Sequence, residues 1–230
     1  MNELAAYYQA LGYAPSRWHI GAEHPMLEEH AVRLVGERPR ARVLEVGYQA
    51  GGFAVPVILA LHARPGFAYV GVDSMAYGSA VGAAVIGKYL AERGVTSGYE
   101  FVASDAGPFL RRVPPAFDLV LIDHDKRLYP RDLRTVLRRD LVSADGLVLL
   151  HDVLGKARRV WHDCLAIARA YGWSPQIVDE VPEGLAVLRR QPSTPAPGGR
   201  IALGRAVARI HARELTDAAR ALRRTLRGRG

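Results

Sequence analysis

Four consecutive residues, Asp123-His124-Asp125-Lys126, offer two carboxylates, an imidazole and an ammonium directly after the apolar run Leu119 to Ile122. Carboxylates and imidazoles move protons or hold cations, and a lysine beside them is a base when deprotonated and a fixed positive charge otherwise. A fully apolar run of this kind suits a parallel strand covered on both faces. In open α/β sheets the ligand sits outside the carboxyl ends of such strands, which is where these four residues would fall. The plain alternative is a polar loop that only solvates a strand end, since loops gather charge in any case.

The rest of the chain supplies more strand ends of the same kind. Ala41 to Gly47 reads as a first core strand, followed by the glycine-rich turn Tyr48-Gln49-Ala50-Gly51-Gly52. Phe67 to Val72 reads as a second strand ending in Asp73-Ser74, and Tyr99 to Ala103 as a third ending in Ser104-Asp105. Leu119 to Ile122 is the fourth, and Gly146 to Leu150 the fifth, ending in His151-Asp152. Helical patterns lie between them: Phe53 to His62, Ser79 to Arg93, Gly107 to Arg112, Pro130 to Arg139 and Lys156 to Tyr171. Glu3 to Leu11 and Pro25 to Gly36 read as helices ahead of the first strand.

Such alternation predicts a Rossmann-like, doubly wound α/β fold with a mostly parallel sheet. Two late strands, Gln176 to Val178 and Leu185 to Arg189, bring the count to seven. The short link between them cannot make a parallel crossover, so the last strand is predicted antiparallel. The predicted organisation is an N-terminal helix and lid segment (1–24), a main domain (25–190), a Pro/Gly/Ser linker (191–200) and a basic amphipathic helix (201–230).

Composition bounds the function. At 230 residues, 49% apolar and 23% charged, the chain can build one full core and is not disordered by default. No apolar run approaches bilayer length, and Met1-Asn2-Glu3-Leu4 has no basic, signal-like start, so a cytoplasmic protein is expected. The single cysteine, Cys164, excludes an internal disulfide and falls in a helical pattern that suits packing. Of the net charge of +8, nine arginines against Glu214 and Asp217 place +7 after residue 190, leaving +1 for the rest. A nucleic-acid partner is therefore not expected for the main domain.

The turn Glu45-x-Gly47-x-x-x-Gly51 lets backbone approach a ligand and exposes a helix N-terminus. It is not the GxGxxG dinucleotide spacing. Asp73 could accept from ribose hydroxyls and Asp105 could serve an adenine amino group, although an acidic residue at a strand end is more often a helix cap.

Taken together, VLEVGYQAGG, VGVD, ASDAGPFL and FDLVLIDHDKRLY resemble the class I S-adenosylmethionine-dependent methyltransferases. Within them the chain is similar to the metal-dependent catechol and caffeoyl-coenzyme-A O-methyltransferases over about residues 25 to 190. The resemblance implies that Glu45, Gly47 and Gly51 hold the methionine part of the cofactor, that Asp73 with Ser74 binds the ribose, and that Asp105 with Ala106 faces the adenine. It implies that Asp123, at the cofactor's edge, ligates a divalent metal and that Lys126 takes the substrate proton. The other two metal ligands of that group are an Asp-Asn pair, where this chain has His151-Asp152.

Mg²⁺ prefers oxygen ligands, whereas imidazole suits Zn, Fe, Ni or Cu. Three readings stand: a metal site of Asp123, His151 and Asp152; a metal-free site with His151 as general base; and a His151 that only packs. Asp125, beside Lys126, would hold the lysine protonated and make it a positioning charge. Tyr13 and Trp18 are lid candidates over the acceptor pocket.

The activity implied is methyl transfer to a hydroxyl of a small molecule, such as a catechol-like or vicinal-diol natural product. A sugar or RNA acceptor and a non-catalytic cofactor-binding subunit are the rival readings. The arginine-rich tail would dock on the core or on a second copy in a homo-oligomer, bind an anionic surface, or overhang.

Overall fold

The computed structural model describes residues 3–13, 29, 32–33, 41–74, 79–179, 181, 183–191 and 199–227. The elements run α1 (Glu3–Ala10), β1 (Arg42–Val46), α2 (Ala54–Leu61), β2 (Ala68–Asp73), α3 (Ser79–Ala91), β3 (Tyr99–Ala103), α4 (Ala106–Leu110), β4 (Phe117–Ile122), α5 (Tyr129–Arg138), β5 (Val142–His151), α6 (Arg158–Ala170), β6 (Trp173–Val178), β7 (Leu185–Arg190) and α7 (Gly199–Arg227). Seven strands form one sheet in the order β3-β2-β1-β4-β5-β7-β6. All neighbours are parallel except β7, which is antiparallel to both β5 and β6.

The period of two along the strands builds two apolar layers. Val43, Leu119, Leu121, Leu147 and Leu149 face α1, α2 and α3, while Leu44, Val46, Val120, Ile122, Val148 and Leu150 face α4 to α7. Both faces are covered, which is why the central strands read as unbroken apolar runs. Cys164 is buried in the second layer, and burial pushes its thiol up, away from reactivity.

Three strand starts differ from the sequence reading by two residues or more. β4 begins at Phe117, and β5 begins at Val142 rather than Gly146, because Phe117 pairs with Val142 across an irregularity in register. β5 therefore includes Ser143, Ala144 and Asp145, which lie within that irregularity and where apolarity gave no cue. β6 begins at Trp173 and contains Pro175, which is tolerated because β6 is an edge strand.

The predicted helix from Pro25 to Gly36 lies outside the described residues except at Glu29, Val32 and Arg33, which are helical. Trp18 and residues 192–198 also lie outside them. Tyr13 packs edge-on against Tyr8 with ring centroids 6.2 Å apart. The Tyr8 hydroxyl donates to the Ala50 carbonyl at 3.0 Å, so α1 is tied to the turn after β1.

The basic helix α7 docks on the core through its first half. Ala206 and Ile210 are buried in the second layer, and the Asp163 carboxylate of α6, fully buried, accepts from Arg209 Nε at 2.6 Å and Arg213 Nη2 at 3.1 Å. Beyond that clamp Leu215 is 73% exposed. Among the described residues no helix is long and apolar enough to cross a membrane. Replacing Asp163 by Ala is expected to cost on the order of 2 kcal/mol in urea unfolding. That lies below the figure for a fully buried pair because both guanidinium groups are partly solvated.

Candidate active site

β1 and β4 are neighbours, yet the chain leaves β1 toward β2 on the opposite side, so the strand order switches between them. The loops leaving β1 and β4 therefore open a crevice at their carboxyl ends, the position where ligands bind in such sheets. The turn after β1 is held from both sides. Gly47 N–H donates to the Val72 carbonyl and Asp123 N–H to the Val46 carbonyl, each at 2.8 Å. Gln49 N–H donates to Asp73 Oδ2 at 3.0 Å, so Asp73 buttresses the turn. Gly47 has φ +101° and lies so close to β4 that a Cβ there would overlap the Asp123 carbonyl and stand 2.7 Å from its carbon. Gly51 has φ +79° and packs against Ile86.

The other predicted cofactor residues are placed as follows. Glu45 is buried below the turn and accepts a short hydrogen bond from the Tyr69 hydroxyl. Burial pushes its carboxyl well above the usual range despite the Tyr69 bond. Ser74 directly follows Asp73 at the end of β2. Asp105 is exposed at the N-cap position of α4, but its side chain makes no capping bond, and Ala106 beside it is half-buried. A pinned turn leading into a helix N-terminus, with a carboxylate at the end of the second strand, suits a nucleoside cofactor with an amino-acid tail.

The run after β4 forms a 3₁₀ turn at Lys126–Leu128 before α5. Residues three apart eclipse one another in such a turn, so Asp123, Lys126 and Tyr129 share one side. Lys126 Nζ bonds Asp123 Oδ1 and donates to the Tyr129 hydroxyl at 2.9 Å, and that hydroxyl reaches Asp123 Oδ1 at 3.3 Å. Asp125 does not face Lys126. It accepts from the Arg127 backbone N–H at 3.1 Å and pairs with the Arg127 guanidinium at 2.6 Å. The carboxylates that hold Lys126 are Asp123 and Asp152 instead.

The end of β5 completes the cluster. Asp152 Oδ2 lies 2.9 Å from Lys126 Nζ. His151 Nδ1 lies 3.3 Å from Asp123 Oδ2 and 3.4 Å from Asp152 Oδ1. Asp152 has φ +61°, a left-handed backbone unusual outside glycine, which the surrounding contacts must hold in place. The Nδ1 edge of His151 meets two carboxylates, so Nδ1 carries a proton; Nε2 is buried and has no hydrogen-bond partner.

Burial alone would raise the Asp123 carboxyl, but Lys126 and His151 together hold it well below the usual carboxylate range. Burial opposes charge on Lys126, yet Asp123 and Asp152 overcome it and keep the ammonium protonated. Burial likewise opposes charge on His151, and the Asp123 bond with the two carboxylates still raises the imidazole.

Two contributors escaped the sequence reading. Tyr129 has a buried phenol raised by burial and by Asp123; its signal was the third-residue spacing from Lys126. Asp132 is fully buried, accepts from Arg131 Nε at 2.8 Å and lies 2.9 Å from His124 Nε2, with His124 packed beside the glycine turn. Nothing in the local spacing singled out Asp132.

Asp123, His151 and Asp152 present potential ligand atoms within 4.8 Å of one another, the right types for a divalent ion. The position among them is already held by the Lys126 ammonium, bonded to both carboxylates. To reach both carboxylates an ion would have to displace this ammonium, whose charge at about 4 Å offsets, by roughly 4 kcal/mol at an effective dielectric of 20, part of their attraction for each added unit of positive charge. As arranged, these residues do not fit an added divalent ion.

No family model matches the sequence, and no curated protein matches it. Solved structures do. The O-methyltransferase TomG from Streptomyces achromogenes, solved with SAM, is 20% identical over 82% of this chain and 88% of its own, with a TM-score of 0.62. The SAH-bound methyltransferase PaMTH1 of Podospora anserina is 17% identical over 83% and 88%, with a TM-score of 0.61. An O-methyltransferase from Bacillus cereus in complex with SAH is 16% identical over 82% and 89%, with a TM-score of 0.59. The chain has the class I methyltransferase fold. At these identities the similarity covers the seven-stranded architecture, and the crevice of this chain is furnished by its own residues.

Proposed function

We propose that the protein transfers a methyl group from S-adenosylmethionine to a hydroxyl of a small molecule. The observation that carries this reading is the direct backbone contact between Gly47 and Asp123. It sets a turn suited to the cofactor's amino-acid end against a buried cluster able to handle a hydroxyl proton. Neighbours of the same fold, solved with SAM or SAH, support the choice of cofactor.

When bound, the cofactor supplies an electrophilic methyl on a sulfonium. The residues that would hold it are Gly47 and Gly51 of the turn, Asp73 with Ser74 at the ribose, and Asp105 with Ala106 at the base. The chain's remaining work is to orient the acceptor oxygen in line and to remove its proton. The logic is that of an Asp–His pair: Asp123 fixes the Nδ1–H tautomer of His151, and Nε2 accepts the hydroxyl proton. Lys126, locked as an ammonium, places positive charge where the oxygen becomes negative. That assigns the base to His151 and makes Lys126 an electrostatic partner.

Calorimetric titration with S-adenosylmethionine and S-adenosylhomocysteine tests the reading. Both are expected to bind at micromolar concentration. Replacing Asp73 by Ala should weaken both by about ten- to a hundredfold, the worth of a charge-assisted hydrogen bond. Asp73→Asn keeps an oxygen acceptor for Gln49 N–H and should lose less. Absence of binding by the folded protein overturns the proposal.

A further inference from the structure

We infer that Lys126 is the resident cation of this site and that the protein works without a divalent metal. The inference deepens the methyltransferase reading, and rests on it only for its consequence in turnover.

The ammonium has three N–H donors and three acceptors around it: Asp123 Oδ1, Asp152 Oδ2 at 2.9 Å and the Tyr129 hydroxyl at 2.9 Å. It is fully coordinated, in the manner of an ion held by oxygen ligands. The carboxylates are equally committed. Asp123 Oδ1 meets Lys126 and Tyr129, Asp123 Oδ2 meets His151 Nδ1, Asp152 Oδ2 meets Lys126, and Asp152 Oδ1 meets His151 Nδ1. Three of the four oxygens are hydrogen-bonded or ion-paired to donors of the chain itself, and the fourth, Asp152 Oδ1, lies 3.4 Å from His151 Nδ1.

Charge gives the same answer. Two carboxylates meet one ammonium, and a neutral His151 leaves the cluster at −1, where an aspartate in its place would leave it at −2. His151 stands where an anionic ligand would have supplied further negative charge, and it turns a proton, not a lone pair, toward both neighbours. The backbone is committed as well: Asp152 holds φ +61° to present its carboxylate to Lys126. A divalent ion entering here would have to expel the ammonium, strip the Nδ1 proton and strand the Tyr129 hydroxyl inside the protein.

The test reads ion binding and needs neither cofactor nor acceptor. Tag-free protein is titrated with Mn²⁺ alone, free ion being followed by its paramagnetic resonance signal, and separately with Mg²⁺ in a calorimeter. The wild-type chain should take up no stoichiometric ion at about 1 mM free Mn²⁺. The Lys126→Ala variant leaves two facing carboxylates unbalanced and should bind one Mn²⁺, at least about a hundredfold more tightly than the wild type. One equivalent bound by the wild type and lost in Asp123→Asn overturns the inference, and that titration decides alone if the lysine variant fails to fold. Ion uptake by the wild type would leave methyl transfer standing, and failure to bind S-adenosylmethionine would leave the ion result standing, so the two readings fail separately.

Discussion

Replacing His151 by Gln will lower methyl-transfer turnover by about 10²- to 10⁴-fold, the usual worth of a general base. Affinity for S-adenosylmethionine will stay within about threefold, because Asp123, the residue at the cofactor's edge that this side chain meets, keeps its bond to Lys126. The pH profile distinguishes this from a structural loss. His151 must be neutral at Nε2 to accept a proton, and its pKa is raised above the ordinary imidazole value. Wild-type turnover will therefore climb as pH rises through that elevated pKa, and the rise will disappear in the Gln variant. Stability follows the opposite sign. A raised folded-state pKa contributes stability that is complete below about pH 6.5 and is lost as pH rises through the folded value. A pH-rate profile unchanged in the Gln variant would remove His151 from proton transfer.

The second large effect is expected at Gly47. An alanine there must adopt φ +101°, and its Cβ would press on the Asp123 carbonyl, which is backbone and has no rotamer to yield. Backbone strain and overpacking together should cost about 2–5 kcal/mol in urea unfolding. Calorimetry should show cofactor binding lost as well, because the turn and the exit of β4 must separate. Gly87→Ala is the control: its nearest neighbour would be the Tyr99 hydroxyl at 3.9 Å, and it lies inside α3. There alanine should stabilise the protein by about 0.5–1 kcal/mol. Equal behaviour of the two variants would show that the Gly47 contact does not hold the site together.

What could be read in advance depended on distance along the chain. The central strands were legible because burial on both faces leaves an apolar run with no polar alternation, as in Leu119 to Ile122. The side of the turn shared by Asp123, Lys126 and Tyr129 was encoded in third-residue spacing. The same local view misled at Asp125, whose nearness in sequence suggested a partner for Lys126 while its carboxylate pairs with Arg127. The partner that matters, Asp152, lies on another strand, and no spacing rule joins residues of β4 and β5. The clamp of Asp163 on Arg209 and Arg213 was hidden for the same reason. Strand starts at Val142 and Trp173 were missed because hydrogen bonding to a neighbour, not side-chain character, makes them strands.

The clamp also sets an order of assembly. Asp163 is synthesised well before the arginines that neutralise it, and the surface around it is the seat of Ala206 and Ile210. Until α7 has left the ribosome, α6 carries an exposed carboxylate inside an apolar patch. When Arg209 and Arg213 arrive, the same charge becomes the latch that closes the patch.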